Sequence, residues 1–182
     1  EVYNTSNKAA TDLISHQRSE VLFDFIARGL ALTHRPFDAV DLTRGALDPL
    51  QTPLLWVMME KQCNADVQQK LLEYVQNGGK LVLAGRMCIE EFDHTPCTLL
   101  KDALGIQQME DDEPFEPNEI NAFQYVDIPV SFLETYRGSF SEVIASHDDG
   151  RVAGFIQPLG KGSVLVFGAA MTANTLDDLD VV

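Results

Sequence analysis

Between residues 11 and 30, apolar residues fall at Leu13, Ile14, Val21, Leu22, Phe25, Ile26 and Leu30. Steps of three and four of this kind predict an amphipathic helix. His34-Arg35-Pro36 closes that stretch, because the residue before a proline is pushed out of the helical region. Phe37–Leu42 (FDAVDL) is short and rich in strand formers. Pro53–Met59 (PLLWVMM) is a continuous apolar run, the pattern of a strand buried on both faces under helices. Asn64 is a good N-cap for a helix whose apolar face is Val67, Leu71, Leu72 and Val75. Asn77-Gly78-Gly79 ends it, since glycine takes the left-handed conformation cheaply. Lys80–Gly85 (KLVLAG) is a second strand of the buried type. Thr95-Pro96 reads as N-cap and first turn of a helix running to Leu104, with Gly105 at its end. Helices alternating with apolar strands predict an α/β fold with a mainly parallel sheet.

The last third has a different rhythm. Glu142–His147 (EVIASH) alternates, Asp148-Asp149-Gly150 turns, and Arg151–Gln157 (RVAGFIQ) alternates again, a strong hairpin signal. Pro158–Gly162 (PLGKG) is a second turn, and Ser163–Gly168 (SVLVFG) a further apolar strand. An antiparallel meander is therefore expected to close the sheet. Asn174–Val182 reads as the start of a helix.

Charge changes this picture in one place. The 182 residues carry 28 acids and 13 bases, a net charge of −15. Residues 1–91 hold 12 acids and 9 bases, and residues 92–182 hold 16 and 4. Much of the excess is Glu110, Asp111, Asp112, Glu113, Glu116 and Glu119, interrupted by Pro114 and Pro117. Clustered like charges with two prolines predict a solvated loop. A calcium site is the sharper alternative, but the spacing fits no EF-hand and no glycine turns a ligand loop. Such an acidic chain is a poor partner for nucleic acid or an anionic membrane. No apolar run approaches the 18 residues of a membrane span. Cys63, Cys88 and Cys97 are too few for a disulfide framework. With no recognisable signal peptide, the expected location is the cytoplasm.

Candidate chemistry is sparse. Cys88 follows the KLVLAG strand, where α/β enzymes often place a nucleophile, and Glu90, Glu91, Asp93 and His94 are close. A nucleophile elbow wants small neighbours, as in G-x-C-x-G, whereas Met87 and Ile89 flank Cys88. The nearby acids would also raise a thiol's pKa. Cys88, His94 and Cys97 could in principle gather zinc, but no fourth ligand is spaced for a closed site. Phosphate-binding glycine loops are missing, and Gly160-Lys161-Gly162 fits a tight turn between strands. Trp56, inside an apolar run, is expected to pack in the core rather than stack on a sugar. A chain of 182 residues is also shorter than the roughly 250 of a full (β/α)₈ barrel. No catalytic, cofactor-binding or metal-binding residue is assigned.

Two segments resemble one family. Leu71–Gly85 (LLEYVQNGGKLVLAG), followed by Leu99–Ile106 (LLKDALGI), resembles the helix–YVxxGG–strand … LxxxLG run of the glutamine-amidotransferase-like domain in microbial β-galactosidases of glycoside hydrolase families 35 and 42. Glu134-Thr135-Tyr136, Val143-Ile144-Ala145, Gly154-Phe155 and Leu159–Gly168 (LGKGSVLVFG) are similar to its closing strands. Together they cover roughly residues 50–182. The resemblance implies a flavodoxin-like three-layer sandwich forming a single domain over 1–182, a piece of a longer multidomain enzyme. The first strand of such a domain would then precede Glu1. It also implies a non-catalytic role in assembly, trimerisation included, or in bracing a catalytic barrel of the same polypeptide. The G-x-C-x-G elbow and H-x-E pair of active amidotransferases are missing, which fits that role. The alternative is a free-standing amidohydrolase or amidotransferase using Cys88.

Overall fold

The computed structural model describes residues 37, 38, 40–112, 118–122, 126–147 and 149–171. Their strands are β1 (Leu54–Met59), β2 (Lys80–Gly85), β3 (Ile106–Asp112), β4 (Asn118–Ala122), β5 (Val126–Gly138), β6 (Glu142–His147), β7 (Val152–Leu159), β8 (Gly162–Phe167) and β9 (Ala169–Met171). The helices are α1 (Ala65–Gln76) and α2 (Leu99–Ala103). All nine strands join one sheet in the order β1-β2-β8-β7-β6-β4-β5-β3, with β9 paired to β5.

The chain is α/β and its sheet is mixed. β1 pairs parallel with β2, and β2 parallel with β8. The other pairings are antiparallel. The expected mainly parallel sheet is thus corrected among the described residues. Parallel neighbours need a long crossover, which α1 supplies between β1 and β2. From Ile106 onward most links are short, and short links fold back as hairpins. The predicted β6–β7 and β7–β8 hairpins both form.

One face of β1, β2, β8 and β7 carries the core. Leu55, Val57, Leu81, Leu83, Val164, Val166 and Phe155 are buried there and belong to one cluster with Val67, Leu71 and Val75 of α1. Leu100 and Leu104 extend it. At the far end of α1 the β7–β8 turn docks: Lys161 N–H donates to the Gln76 carbonyl at 3.1 Å. A Cβ on Gly162 would collide with the carbonyl oxygens of Gly79 and Val75, so this turn needs glycine for close approach rather than for a ligand.

Several local expectations are corrected. β1 is not buried on both faces: Leu55, Val57 and Met59 are buried, while Leu54 and Trp56 are 57% and 43% exposed. Trp56 therefore lies outside the core cluster. The helix expected from Thr95 is shorter, with Thr98 at its N-cap, because Pro96 bridges to Glu90 instead. Phe37–Leu42 forms no strand among its described residues; the Asp41 carbonyl accepts from Arg44 N–H and the chain turns. The acidic stretch is not all loop. Glu110, Asp111 and Asp112 lie in β3, paired with β5, and Glu119 lies in β4. Glu110 sits 3.1 Å from Arg137 and 3.5 Å from Arg151, so two bases offset its charge. Residues 113–117, the helix at 11–30 and the helix start at 174–182 fall outside the described residues.

Candidate functional site

The natural place for a site in a sheet of this kind is the crevice beyond the carboxyl ends of its parallel strands. Here that region is filled by the chain running from β2 to α2. Gly85 turns with φ +102, and Arg86 N–H donates to the Met59 carbonyl at 3.0 Å. Residues 62–63, 88–90 and 96–97 then run side by side. Gln62 bridges Glu90 in parallel and Glu90 bridges Pro96 antiparallel. Cys63 N–H reaches the Glu90 carbonyl at 2.9 Å and Cys97 N–H the Ile89 carbonyl at 2.8 Å.

Two buried polar side chains hold this arrangement: Gln68, which the sequence does not mark, and Glu134, which enters the sequence reading only as part of the resemblance to the closing strands and with no role of its own. Gln68, on α1, is fully buried. Its amide donates to the carbonyls of Cys63 and Cys97, each at 3.2 Å, and its oxygen accepts from Leu100 N–H at 3.2 Å. Glu134, on β5 and also fully buried, accepts from Met87 N–H and from the Tyr136 hydroxyl, both at 2.8 Å. The only hint in the sequence is a glutamine on an otherwise apolar helix face, and a glutamate at an inward strand position. Both follow from the rule that buried backbone groups must be satisfied.

Cys88 lies within this arrangement and is completely buried. Hydrogen bonding with the Cys63 thiol, then burial, then the Cys63 and Cys97 groups push its pKa well above the ordinary thiol value. It is thus held as a thiol, whereas the nucleophile would be the thiolate. His94 is not beside it. That histidine is 72% exposed, has φ +65, and has its Nδ1 3.2 Å from both Glu90 Oε1 and Gln62 Nε2. Asp93 is likewise local, its carboxylate accepting from Thr95 N–H at 2.9 Å. The structure therefore brings Cys88 together with Cys63, not with the histidine and carboxylates near it in sequence. Among the described residues no three metal-ligating side chains converge, so Cys88, His94 and Cys97 form no ligand set.

The fold and this strand end define a mixed α/β domain in which the segment after the second parallel strand holds a fully buried thiol. The chain belongs to the family described as "GLMA-like, second domain", whose profile matches residues 5–141. It is 31% identical over 144 residues to an exo-beta-D-glucosaminidase of Pyrococcus horikoshii, covering 76% of this chain and 18% of that protein. It is 27% identical over 168 residues to a beta-1,2-glucosyltransferase of Ignavibacterium album, covering 91% of this chain and 23% of the other. Among solved structures it is similar to Gan42B, a GH42 β-galactosidase from G. stearothermophilus. That likeness has a TM-score of 0.72 at 18% identity and covers 95% of this chain and 26% of the other, a likeness of fold. The chain spans about a quarter or less of the length of each of these proteins.

Proposed function

We propose that the chain is one non-catalytic domain of a longer glycosidase, one that removes terminal β-linked sugars of the galactoside or glucosaminide type. The observation that carries this reading is the family match across residues 5–141, by a chain spanning 18% of an exo-glucosaminidase. The buried thiol supports the non-catalytic half of it, because a nucleophile must reach both substrate and base. In this reading the domain braces a catalytic barrel on the same polypeptide and contributes to a trimer of the parent. A flavodoxin-like sandwich with helices on both sheet faces is the fold that goes with it. A cytoplasmic setting also belongs to it, supported by three cysteines that are all free and buried. Among the described residues no helix is long and apolar enough to cross a membrane.

The test compares this chain with the longer protein that carries it. The longer protein is expected to hydrolyse a nitrophenyl β-galactoside or β-glucosaminide, and this chain alone neither of them, nor glutamine. Steady turnover of any of the three by the isolated chain, abolished by Cys88→Ala in the case of glutamine, would overturn the reading.

A further inference from the structure

Beyond the ends of β1 and β2, three polar side chains brace one another at the surface. Gln62 follows β1, and Glu90 and His94 follow β2. Gln62 Nε2 and His94 Nδ1 each lie 3.2 Å from Glu90 Oε1, and 3.2 Å from each other. Backbone pairing fixes the frame: Gln62 bridges Glu90, Glu90 bridges Pro96, and His94 N–H donates to the Glu91 carbonyl at 3.0 Å. A carboxylate only accepts, so the Gln62 amide donates to it and Nδ1 carries the proton of a neutral His94. Each side chain keeps one more polar atom: Gln62 Oε1, Glu90 Oε2 and His94 Nε2. All three are acceptors, and none has a hydrogen-bond partner among the described residues. The Glu90 side chain is 29% exposed and that of His94 far more, so solvent reaches the trio. His94 also holds φ +65, a conformation glycine adopts without strain. A side chain is kept there at a cost, and it is held in place by Glu90.

We infer that Gln62, Glu90 and His94 form a binding site for a primary ammonium group. Three acceptors on three side chains, one of them charged, match a group that carries three N–H donors, one positive charge and no acceptor. A guanidinium fits less well, because its planar fork calls for two oxygens of one carboxylate side by side. Anions are repelled: residues 88–97 add Glu91 and Asp93 and contain no lysine or arginine. A metal ion is no better suited, since among the described residues no three metal-ligating side chains converge. Holding the three side chains together before the ligand arrives lowers the entropy lost on binding. The ammonium has two possible sources, an amino sugar or a lysine of the catalytic domain. The sugar source rests on the glycosidase reading above, and the ammonium site itself does not.

The test titrates the isotope-labelled chain with glucosamine by NMR, with glucose as the control that lacks the ammonium, at constant ionic strength. The Gln62 side-chain amide and the His94 ring signals are expected to move with glucosamine and to stay in place with glucose. His94→Gly suits the turn and removes the imidazole; Glu90→Gln keeps the shape and removes the charge. Each is expected to weaken binding about tenfold, read at the Gln62 amide, while the rest of the spectrum reports that the variant is folded. The longer protein separates the two sources. A KM for a nitrophenyl β-glucosaminide that rises in His94→Gly, with kcat and the galactoside KM unchanged, assigns the site to the amino sugar. An unchanged KM with a lower melting temperature, which the isolated variant does not show, assigns it to a lysine of the catalytic domain. Three results overturn the inference: signals that ignore glucosamine, signals that respond equally to glucose, and an equal response at Asp66 and Glu73, which would mean general attraction to an acidic chain. A longer protein that hydrolyses neither glycoside overturns the glycosidase reading instead, and the titration of the chain still decides the ammonium site.

Discussion

At the scale of single residues, Glu134 and Gln68 decide more than Cys88 does. Cys88 was the conspicuous residue, yet a thiol completely buried beside Cys63 stays protonated. Glu134 is the acceptor for two donors from separate elements, Met87 N–H after β2 and the Tyr136 hydroxyl on β5. Glu134→Ala leaves both without that acceptor inside the protein and is expected to cost about 3 kcal/mol. Glu134→Gln keeps an acceptor oxygen and is expected to cost clearly less. Urea denaturation of the two variants measures this directly. An Ala variant as stable as wild type means that Met87 and Tyr136 find other acceptors at no cost, and Glu134 is not what holds the strand end.

At the scale of elements, β1 shows how one strand serves two environments. Its odd positions, Leu55, Val57 and Met59, join the core cluster with α1, and its even positions face the other way. Val57→Asp would bury an unpaired carboxylate in the core cluster and is expected to cost about 3–5 kcal/mol. Leu50→Asp, at a residue 93% exposed, should stay within about 0.5 kcal/mol. Thermal melts of both variants check the pair; a Val57→Asp chain that melts with wild type would mean that β1 does not pack as described. Much at this scale was legible beforehand. The KLVLAG strand, the helix stopping at Asn77 and the two closing hairpins all form, because each is dictated by local periodicity and by glycine-rich turns.

At the scale of the whole molecule, charge governs association. A net charge of −15 makes copies repel one another at low salt, and 16 of the 28 acids lie beyond residue 91. The isolated chain is expected to be a monomer or weak oligomer whose association strengthens with salt, as the Debye length shortens to about 8 Å near physiological ionic strength. Light scattering at low and high salt measures the trend. Association that weakens with salt would mean that the acidic half pairs with bases across the contact, as Glu110 already does with Arg137 and Arg151 inside one copy.

The sequence by itself determined what is local. Periodic apolar positions and turn residues specified the α/β alternation, the helix from Ala65, the closing meander and the face of α1 that is buried. Its motif run also pointed to the right kind of domain, since GG-strand and LxxxLG spacing records a helix packed on a strand. What it left open depends on partners distant in the chain. Whether the PLLWVMM run is buried on both faces depends on what lies across the sheet from Trp56. Whether Glu110–Asp112 is loop or strand depends on β5, more than twenty residues away. Whether Cys88 can react depends on burial and on Cys63 and Cys97, which only the tertiary structure brings to it. Burial and hydrogen-bond satisfaction are properties of assembled surfaces, and no window of neighbouring residues carries them.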